Sequence, residues 1–366
     1  MKIKHLSFSL ILCFLTSFLS AQYDFKDEIR LNCSEIKNQQ RTGTCWSFAT
    51  ASFLESELMK EGKNHNLSEM YIVRKVYEDK ARNYVFRQGK ANFSQGSLSH
   101  DLINTVARDG IVPESAFDGR LFEDQSYNHS EMEAVLKGML DGVLKSKHPS
   151  LVWKDAFNAV IDVYMGSAPD KFSVDNTSYT PESYAEMLGL EVDNYISFTS
   201  FTHHPFYRSF ILEIPDNYSN GSFYNIPIEE LKAVVDDALN AGYTVAWDGD
   251  VSEKGFSHKN GIAILPTNPD REYLFTEPGP EKEVTQASRQ TNFENFYTTD
   301  DHLMHLIGSA TDKAGNRYYI IKNSWGDKNL EHGYLYMSEA YFLSKTVAVM
   351  LNKKAVNGDL KGKILN

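Results

Sequence analysis

The pattern of hydrophobic and polar positions divides the chain into a helical first part and a strand-rich last third. After a turn-forming stretch that ends at Thr44, apolar residues recur every three or four positions, which predicts a helix beginning at Cys45. A second helix is predicted after Ser68, a residue type that favours the N-cap position. A third helix is predicted over 99–108, with Gly110 as its stop.

The last third of the chain reads as one helix followed by short strands. The helix is predicted over 228–239, and the runs that follow it are rich in Tyr, Ile and Val and separated by Gly, Asn and Asp. Strands are predicted over 244–247, 261–265, 303–309, 317–322, 333–337 and 346–351. Helices segregated from strands indicate an α+β protein with two lobes.

The middle of the chain has a weaker pattern. Helices are predicted over 130–145 and 181–188, an aromatic-rich stretch covers 195–210, and no motif stands out. We interpret this region as insertions that decorate one enzyme domain. The predicted organisation is a signal peptide over 1–21 and one domain over 22–366, made of a helical lobe (22–114), insertions (115–225) and a β-rich lobe (226–366).

The first 21 residues have the order of a secretory signal peptide. Lys2 and Lys4 precede an apolar run over 6–18, and small residues end the segment at Ala21. The apolar run is too short to span a bilayer comfortably. We predict cleavage after Ala21 and a secreted or periplasmic protein, with a buried N-terminal helix as the alternative. The mature chain has no second long apolar stretch, so no integral membrane segment is expected.

Charge and cysteine content narrow the classes of function. The net charge is −12, or −14 once the two leader lysines are removed. A nucleic-acid partner is not expected, because phosphate contacts need basic patches. Only Cys33 and Cys45 lie outside the leader, so the fold does not depend on disulfides and a reactive thiol is available. A disulfide between these two would silence a nucleophile, and we expect Cys33 to be an inert thiol.

Cys45 stands where a thiol can become reactive. It begins a helix, and the unpaired backbone N–H groups at a helix start carry partial positive charge, which lowers a cysteine pKa. Gln39 lies on the preceding loop, where its amide and the Cys45 N–H could donate to one carbonyl oxygen as an oxyanion hole. Taken alone, Cys45 could also be a buried structural cysteine.

The residues around Cys45 resemble the nucleophile segment of papain-like cysteine peptidases. The segment reads Asn38-Gln39-x-x-x-Gly43-x-Cys45-Trp46-Ser47-Phe48-Ala49. The resemblance implies that Cys45 is the nucleophile and that Gln39 donates to the oxyanion. Trp46 matches the family's Trp after the nucleophile, and residues 67–69 are similar to the family's next segment.

A second motif, over 299–308, resembles the family's strand that opens with the catalytic His. In the family a Gly follows six residues later, which matches His302 and Gly308. His305 competes for the role, but strand positions three apart face opposite sides, so only one imidazole can reach Cys45. The register with Gly308 favours His302 and leaves His305 as a core-facing or surface residue.

A third motif, Lys322-Asn323-Ser324-Trp325-Gly326, resembles the family's Asn segment. The resemblance implies that the Asn323 carbonyl holds the imidazole in one orientation and that Trp325 shields that bond from water. Without the other motifs, this segment would read as a turn before a strand. Three motifs in the family's order imply a cysteine peptidase that needs no metal or cofactor, and no HExxH or CxxC pair is present.

Residues on the substrate side are predicted from looser likeness. Gly96 and Ser97 resemble the family's glycine segment that binds peptide backbone, where a glycine allows close approach; a turn before a helix is the alternative. Trp46 is a further candidate for substrate binding. Asp248 and Asp250 are predicted to lie in a solvated surface turn, with lining of the cleft and attraction of a substrate cation as the alternative.

The resemblance implies a papain-like two-lobe fold, with the active-site cleft between a helical N-terminal lobe and a β-rich C-terminal lobe. Thr42 replaces a disulfide cysteine of the common secreted members, and a long insertion separates the Cys45 and His302 motifs. Both features suit the bleomycin hydrolase and aminopeptidase C branch, in which a C-terminal arm enters the cleft. The tail over 352–366 has no match to that arm.

The expected activity is hydrolysis of peptides or proteins through a thioacyl-enzyme, with aminopeptidase favoured weakly over endopeptidase. A catalytically silent papain-like binding protein and a transglutaminase-like enzyme are the alternatives, and a homo-oligomer is left open.

Overall fold

The computed structural model describes residues 23–122 and 124–364. The predicted signal peptide and its cleavage point after Ala21 lie outside these residues. Ten α-helices occur in the described part: α1 (Cys45–Lys60), α2 (Glu69–Phe86), α3 (Ser99–Asp109), α4 (Ser130–Val143), α5 (Trp153–Met165), α6 (Pro181–Leu188), α7 (Ile228–Asn240), α8 (Gln286–Glu294), α9 (Glu339–Lys345) and α10 (Gly358–Ile364).

The strands of the described part belong to one large mixed sheet and one small hairpin. They are β1 (Phe25–Arg30), β2 (Phe172–Val174), β3 (Thr177–Tyr179), β4 (Tyr195–Thr199), β5 (Ser209–Ile211), β6 (Ser222–Asn225), β7 (Val245–Gly249), β8 (Phe256–Ser257), β9 (Ile262–Ala263), β10 (His302–Asp312), β11 (Arg317–Lys322), β12 (Tyr334–Ser338) and β13 (Thr346–Asn352). Strands β2 and β3 form the hairpin.

Strand β10 lies at the centre of the large sheet and carries His302 as its first residue. The order across the sheet is β5-β6-β4-β13-β7-β10-β11-β12-β9-β8, and β1 pairs with the far half of β10. Both neighbours of β10 are antiparallel to it, β7 with Leu303 opposite Asp248 and β11 with His305 opposite Lys322. Because paired residues share a face of the sheet, this register determines which side chains meet at the start of β10.

Helix α1 packs against β10 and β7 on one face of the sheet and against α2 and α3 on its other side. It is buried along almost its whole length, from Cys45 to Leu58, because protein surrounds it on every side. One apolar core fills the helical lobe and reaches this face of the sheet through Ala246 and Leu303. The α+β class with helical and β-rich lobes is therefore confirmed.

The C-terminal tail packs on the opposite face of the sheet. Leu360 and Ile364 of α10 are buried in a second core together with Leu231 of α7 and Trp247 of β7. Lys363 also pairs with Glu230 of α7 at 3.1 Å. The tail up to Ile364 therefore lies on the face of the sheet opposite α1, which begins with Cys45. No helix of the described segments is long and apolar enough to cross a membrane.

Candidate active site

The turn before α1 presents Cys45 at the start of the helix, with 8% of the residue exposed. Two hydrogen bonds tie this turn to Gln95: the Gly43 N–H donates to its side chain at 2.8 Å, and the Trp46 indole donates to its carbonyl at 3.0 Å. The sulfur accepts a hydrogen bond from the backbone N–H of Leu303. The thiol therefore lies against Leu303, the second residue of β10, which directly follows His302.

His302, Asn323 and Trp325 form one packed, hydrogen-bonded group. Nε2 of His302 donates to the Asn323 carbonyl oxygen at 2.8 Å. The Trp325 ring packs against the imidazole, with ring centroids 4.6 Å apart and the planes tilted by 37°. Because Asn323 occupies Nε2, Nδ1 remains as the nitrogen that can exchange a proton with a thiol.

Gln39 is tied to the same segment. Its side-chain oxygen accepts from the Ser324 hydroxyl at 2.6 Å, and its backbone N–H donates to the Ser324 carbonyl at 2.9 Å. Because the amide oxygen accepts from Ser324, the amide nitrogen points the other way. One of its two N–H groups donates to the Thr42 carbonyl at 2.6 Å. A primary amide held in this way has a second N–H to offer.

Burial controls the ionisation of both central groups. The pKa of Cys45 is raised to about 12, mainly by burial and also by the carboxyls of Asp300, Asp216 and Asp248, against the lowering effect of the Leu303 N–H. Burial also lowers the pKa of His302 to about 4, although the bond to Asn323 opposes the shift. The thiol pKa is therefore raised, not lowered as expected from the helix start, because the desolvation cost is the largest contribution.

A charge on only one of these two groups is therefore disfavoured. Moving a proton from Sγ to the imidazole creates two opposite charges side by side, and their attraction offsets much of the desolvation cost. For two groups with these pKa shifts, a thiolate paired with an imidazolium costs less than a thiolate alone.

The predicted substrate-binding side chains are not at the surface of the cleft. Trp46 is 1% exposed and supports the backbone at Gln95, so its ring has no surface for a substrate. Ser97 is fully buried and donates to Asp101, an interaction that stabilises the start of α3. Substrate binding by this segment stays a prediction, while the two buried side chains support its backbone. Gly96 is half-buried, and its carbonyl accepts from Lys80.

The predicted surface turn at Asp248 and Asp250 is also wrong. Asp248 is 4% exposed and Asp250 is 1% exposed, because β7 is an internal strand with both neighbours paired. Asp250 accepts from Ser252 and lies 3.5 Å from Lys345, so it is a structural anion. Asp248 instead belongs to the group of acids near Cys45.

His305 and Cys33 lie away from the catalytic group. His305 faces α1, and its Nδ1 is 2.8 Å from the Ser52 hydroxyl. Of the two predicted positions, core-facing or surface, the structure shows the first. Cys33 and Cys45 are both free, and the Cys33 sulfur lies 3.4 Å from the Tyr334 hydroxyl.

Sequence reasoning missed His258, whose Nδ1 accepts from the Asn323 amide nitrogen at 3.2 Å. Its ring also meets Trp325 edge to face, with centroids 5.2 Å apart. The segment around His258 carries no motif that signals this contact. Since His258 binds the nitrogen of Asn323, it turns the oxygen of the same amide towards His302, which makes it a positioning residue.

We expect His258→Ala to lower kcat about 3- to 10-fold with little change in KM, which corresponds to the net free energy of one hydrogen bond. Steady-state kinetics on a peptide substrate measure the split. His258→Gln, which keeps an acceptor near Asn323, is expected to recover part of the loss. An unchanged kcat in His258→Ala would show that Asn323 is held without it.

Comparison with known proteins adds to this geometry. The profile of the Peptidase C1-like family matches residues 164–365, and that of the papain family cysteine proteases matches residues 19–135. Aminopeptidase W of Lactobacillus delbrueckii subsp. lactis is 24% identical, covering 91% of this chain and 84% of that protein. Aminopeptidase C of Listeria monocytogenes is 24% identical, covering 94% of this chain and 86% of that protein.

A solved structure shows the same fold. The crystal structure of PepW from Lactobacillus rhamnosis superimposes with a TM-score of 0.71 at 21% sequence identity, over 93% of this chain and 85% of that chain. The expected papain-like fold is thus confirmed.

Proposed function

Because the chain belongs to the Peptidase C1-like family and is a cysteine peptidase, we propose that Cys45, His302, Asn323 and Gln39 carry its reaction and that it acts as an aminopeptidase. The observation that carries the assignment of residues is the convergence of the Cys45 thiol and the Asn323-bound His302 at the first residues of β10. A nucleophile next to an oriented base is the requirement for acyl transfer through a covalent intermediate.

In the proposed first step, the proton of Cys45 moves to Nδ1 of His302 and the thiolate attacks the peptide carbonyl carbon. The C=O electron pair moves onto oxygen, where the Cys45 N–H and the free N–H of Gln39 stabilise it. The tetrahedral species collapses, the C–N bond breaks, and the leaving amine takes its proton from His302.

In the second step, His302 removes a proton from water, which attacks the thioester carbon. The C–S bond breaks, the acid product leaves, and the proton returns to the Cys45 sulfur. Asn323 keeps the imidazole in one orientation through both steps, and Trp325 covers the bond between them. All protons come from substrate, water and these side chains.

The aminopeptidase part of the proposal is supported by the relatives. Their names are Aminopeptidase C, G, W and E, and the similarity extends over about nine-tenths of this chain. Export of the enzyme after cleavage at Ala21 stays a proposal from the sequence, and N-terminal sequencing of the protein recovered outside the cytoplasm would test it.

We expect the enzyme to cleave leucine aminomethylcoumarin at least about 10-fold better, in kcat/KM, than its N-acetyl form. Fluorescence release measures both rates, and Cys45→Ala supplies the background. Equal rates, together with cleavage inside acetylated peptides, would identify an endopeptidase instead. No release from any peptide, with Cys45 unreactive towards an epoxide probe, would leave a papain-like binding protein.

A further inference from the structure

Three carboxyl groups from separate parts of the chain lie within electrostatic range of the Cys45 thiol. Asp248 lies opposite Leu303 in the register of β7 and β10, so it shares a face of the sheet with the residue whose N–H contacts the sulfur. Asp300 precedes His302 by two residues, and Asp216 lies in the loop between β5 and β6. The side chains of all three act electrostatically on the thiol.

Asp248 is the most deeply buried of the three and has no hydrogen-bond partner outside this group within the described residues. It is 4% exposed, and within the described part of the chain neither of its carboxyl oxygens has a hydrogen-bond partner other than the carboxyl of Asp300 that it faces. One oxygen of Asp300 is likewise buried without a partner. Buried carboxyls without donors are costly, and a bound cation is one way to satisfy them.

Asp216 occupies the space in front of Gly96. A Cβ atom on Gly96 would lie 1.8 Å from its carboxyl oxygen and 2.5 Å from its carboxyl carbon. Asn92 holds the same loop, with its amide donating to Asp216 at 3.1 Å and to the Pro215 carbonyl at 3.1 Å. An extended substrate chain running along Gly96 would therefore have to displace Asp216.

Lys80 does not neutralise this group. Its ammonium donates to the backbone carbonyls of Gly96 and Ser94, the latter at 3.0 Å, although it also attracts Asp216 and Asp300. Burial holds the pKa of Asp248 well above its ordinary value, raises that of Asp300 to about 7 and raises that of Asp216 as well. A cation bound among the three carboxyls would stabilise their ionised forms. Asp300 also lines a cavity of about 480 Å³, which makes the site accessible.

The reacting substrate brings its own positive charge to this place. The α-nitrogen of the residue that is acylated lies two bonds, or about 2.5 Å, from the carbonyl carbon that the sulfur attacks. We propose that Asp216, Asp248 and Asp300 form the site that binds the free α-ammonium group of the substrate's first residue. The assignment rests on the aminopeptidase function proposed above. Because Asp216 closes the path along Gly96, only one residue fits on the acyl side of the scissile bond.

The site also links binding to chemistry. The same three carboxyls disfavour the thiolate of Cys45, and a bound ammonium cancels their charge. The ion pair with His302 is then easier to form when a substrate with a free amine is present. In this proposal the substrate's ammonium group binds to acids inside the domain. The tail over α10 packs on the far face of the sheet and does not contribute.

The test compares wild type, Asp300→Asn, Asp216→Asn and Glu61→Gln as full-length enzymes. Each is assayed on leucine aminomethylcoumarin and on its N-acetyl form, and the ratio of the two kcat/KM values is the readout. Glu61 is an exposed acid directly after α1 that pairs with Lys63, so Glu61→Gln is the control for an equal loss of charge away from the site. We expect the ratio to fall at least 10-fold in both Asn variants, mostly through KM, and to stay unchanged in Glu61→Gln.

The outcomes separate the two proposals. A wild type that does not prefer the free amine overturns the aminopeptidase function, and the ammonium site with it. A wild-type preference that survives in both Asn variants overturns the ammonium site alone. A further comparison uses N-acetylated arginine and leucine substrates, which have no free α-amine. If wild type prefers the arginine substrate and the Asn variants lose that preference, the acids bind a side-chain cation, which contradicts the proposal.

A second measurement uses only the wild-type enzyme, in case a variant fails to fold. Isopentylamine and isopentyl alcohol have the same carbon skeleton and differ in charge. The amine is expected to inhibit cleavage of leucine aminomethylcoumarin competitively at concentrations at least 10-fold below those needed for the alcohol. Equal inhibition by the two compounds would contradict the ammonium site.

Discussion

Replacement of His302 by alanine is expected to lower kcat/KM for peptide hydrolysis by roughly 1,000-fold or more. Burial raises the pKa of Cys45 to about 12, so without a base the thiol stays protonated at neutral pH. The leaving amine also loses its proton donor. Initial rates over a range of substrate concentrations measure the effect, and single-turnover kinetics show whether acylation itself is slowed.

The matched control is His305→Gln, because His305 was the competing candidate on the same strand. Its imidazole bonds to Ser52 in the core, and glutamine can keep a hydrogen bond there. We expect this variant to retain kcat within about threefold. A loss in His305→Gln as large as that in His302→Ala, in proteins of equal stability, would reverse the assignment of the base.

Replacement of Gln39 by alanine is expected to lower kcat by roughly 100- to 1,000-fold and to leave KM nearly unchanged. The amide donates to an oxygen that carries negative charge only in the transition state, so its loss affects the rate more than binding. Steady-state kinetics measure the split between the two constants. Ser324→Ala, which removes the hydroxyl that orients the amide, is expected to cause a smaller loss in the same direction.

Gln40→Ala is the control for this prediction. Gln40 is the exposed neighbour of Gln39, and its side chain bonds to the backbone of Tyr127 on the protein surface. Its replacement should change kcat by less than about threefold. A Gln39→Ala enzyme that keeps its kcat and loses only KM would show that this amide binds the ground state and is not an oxyanion donor.

Strong local signals made much of the fold predictable. Periodic apolar positions indicated α1, and Ser68 does cap α2, with its hydroxyl accepting from Tyr71. The strand over 317–322 matches β11. The elements that were missed lack such signals. Strand β1 has four exposed residues among its six, α8 is polar along most of its length, and α10 has only seven residues, so tertiary contacts determine all three.

The site was predictable only where its chemistry lies in short motifs. Cys45, His302 and Asn323 each stand in a segment that carries its own signal. The helix-dipole argument for Cys45 used its own helix alone, and it missed the burial and the acids that β7, β10 and a distant loop bring to the sulfur. Asp216 could not be assigned to the cleft from sequence, since nothing near it indicates that its loop folds onto Gly96.

The most direct test of the Cys45–His302 pair is the pH dependence of alkylation of Cys45 by iodoacetamide, with peptide mapping, in wild type and in His302→Ala. If the thiolate forms only by proton transfer to His302, the total number of protons on the pair does not change across neutral pH. The wild-type rate should then be nearly constant from about pH 5.5 to 8.5. In His302→Ala the thiol titrates alone with its raised pKa, so the rate should be at least 100-fold lower at pH 7 and should rise about tenfold per pH unit. Equal rates and equal slopes in the two proteins would contradict the pair and, with it, the proposed mechanism.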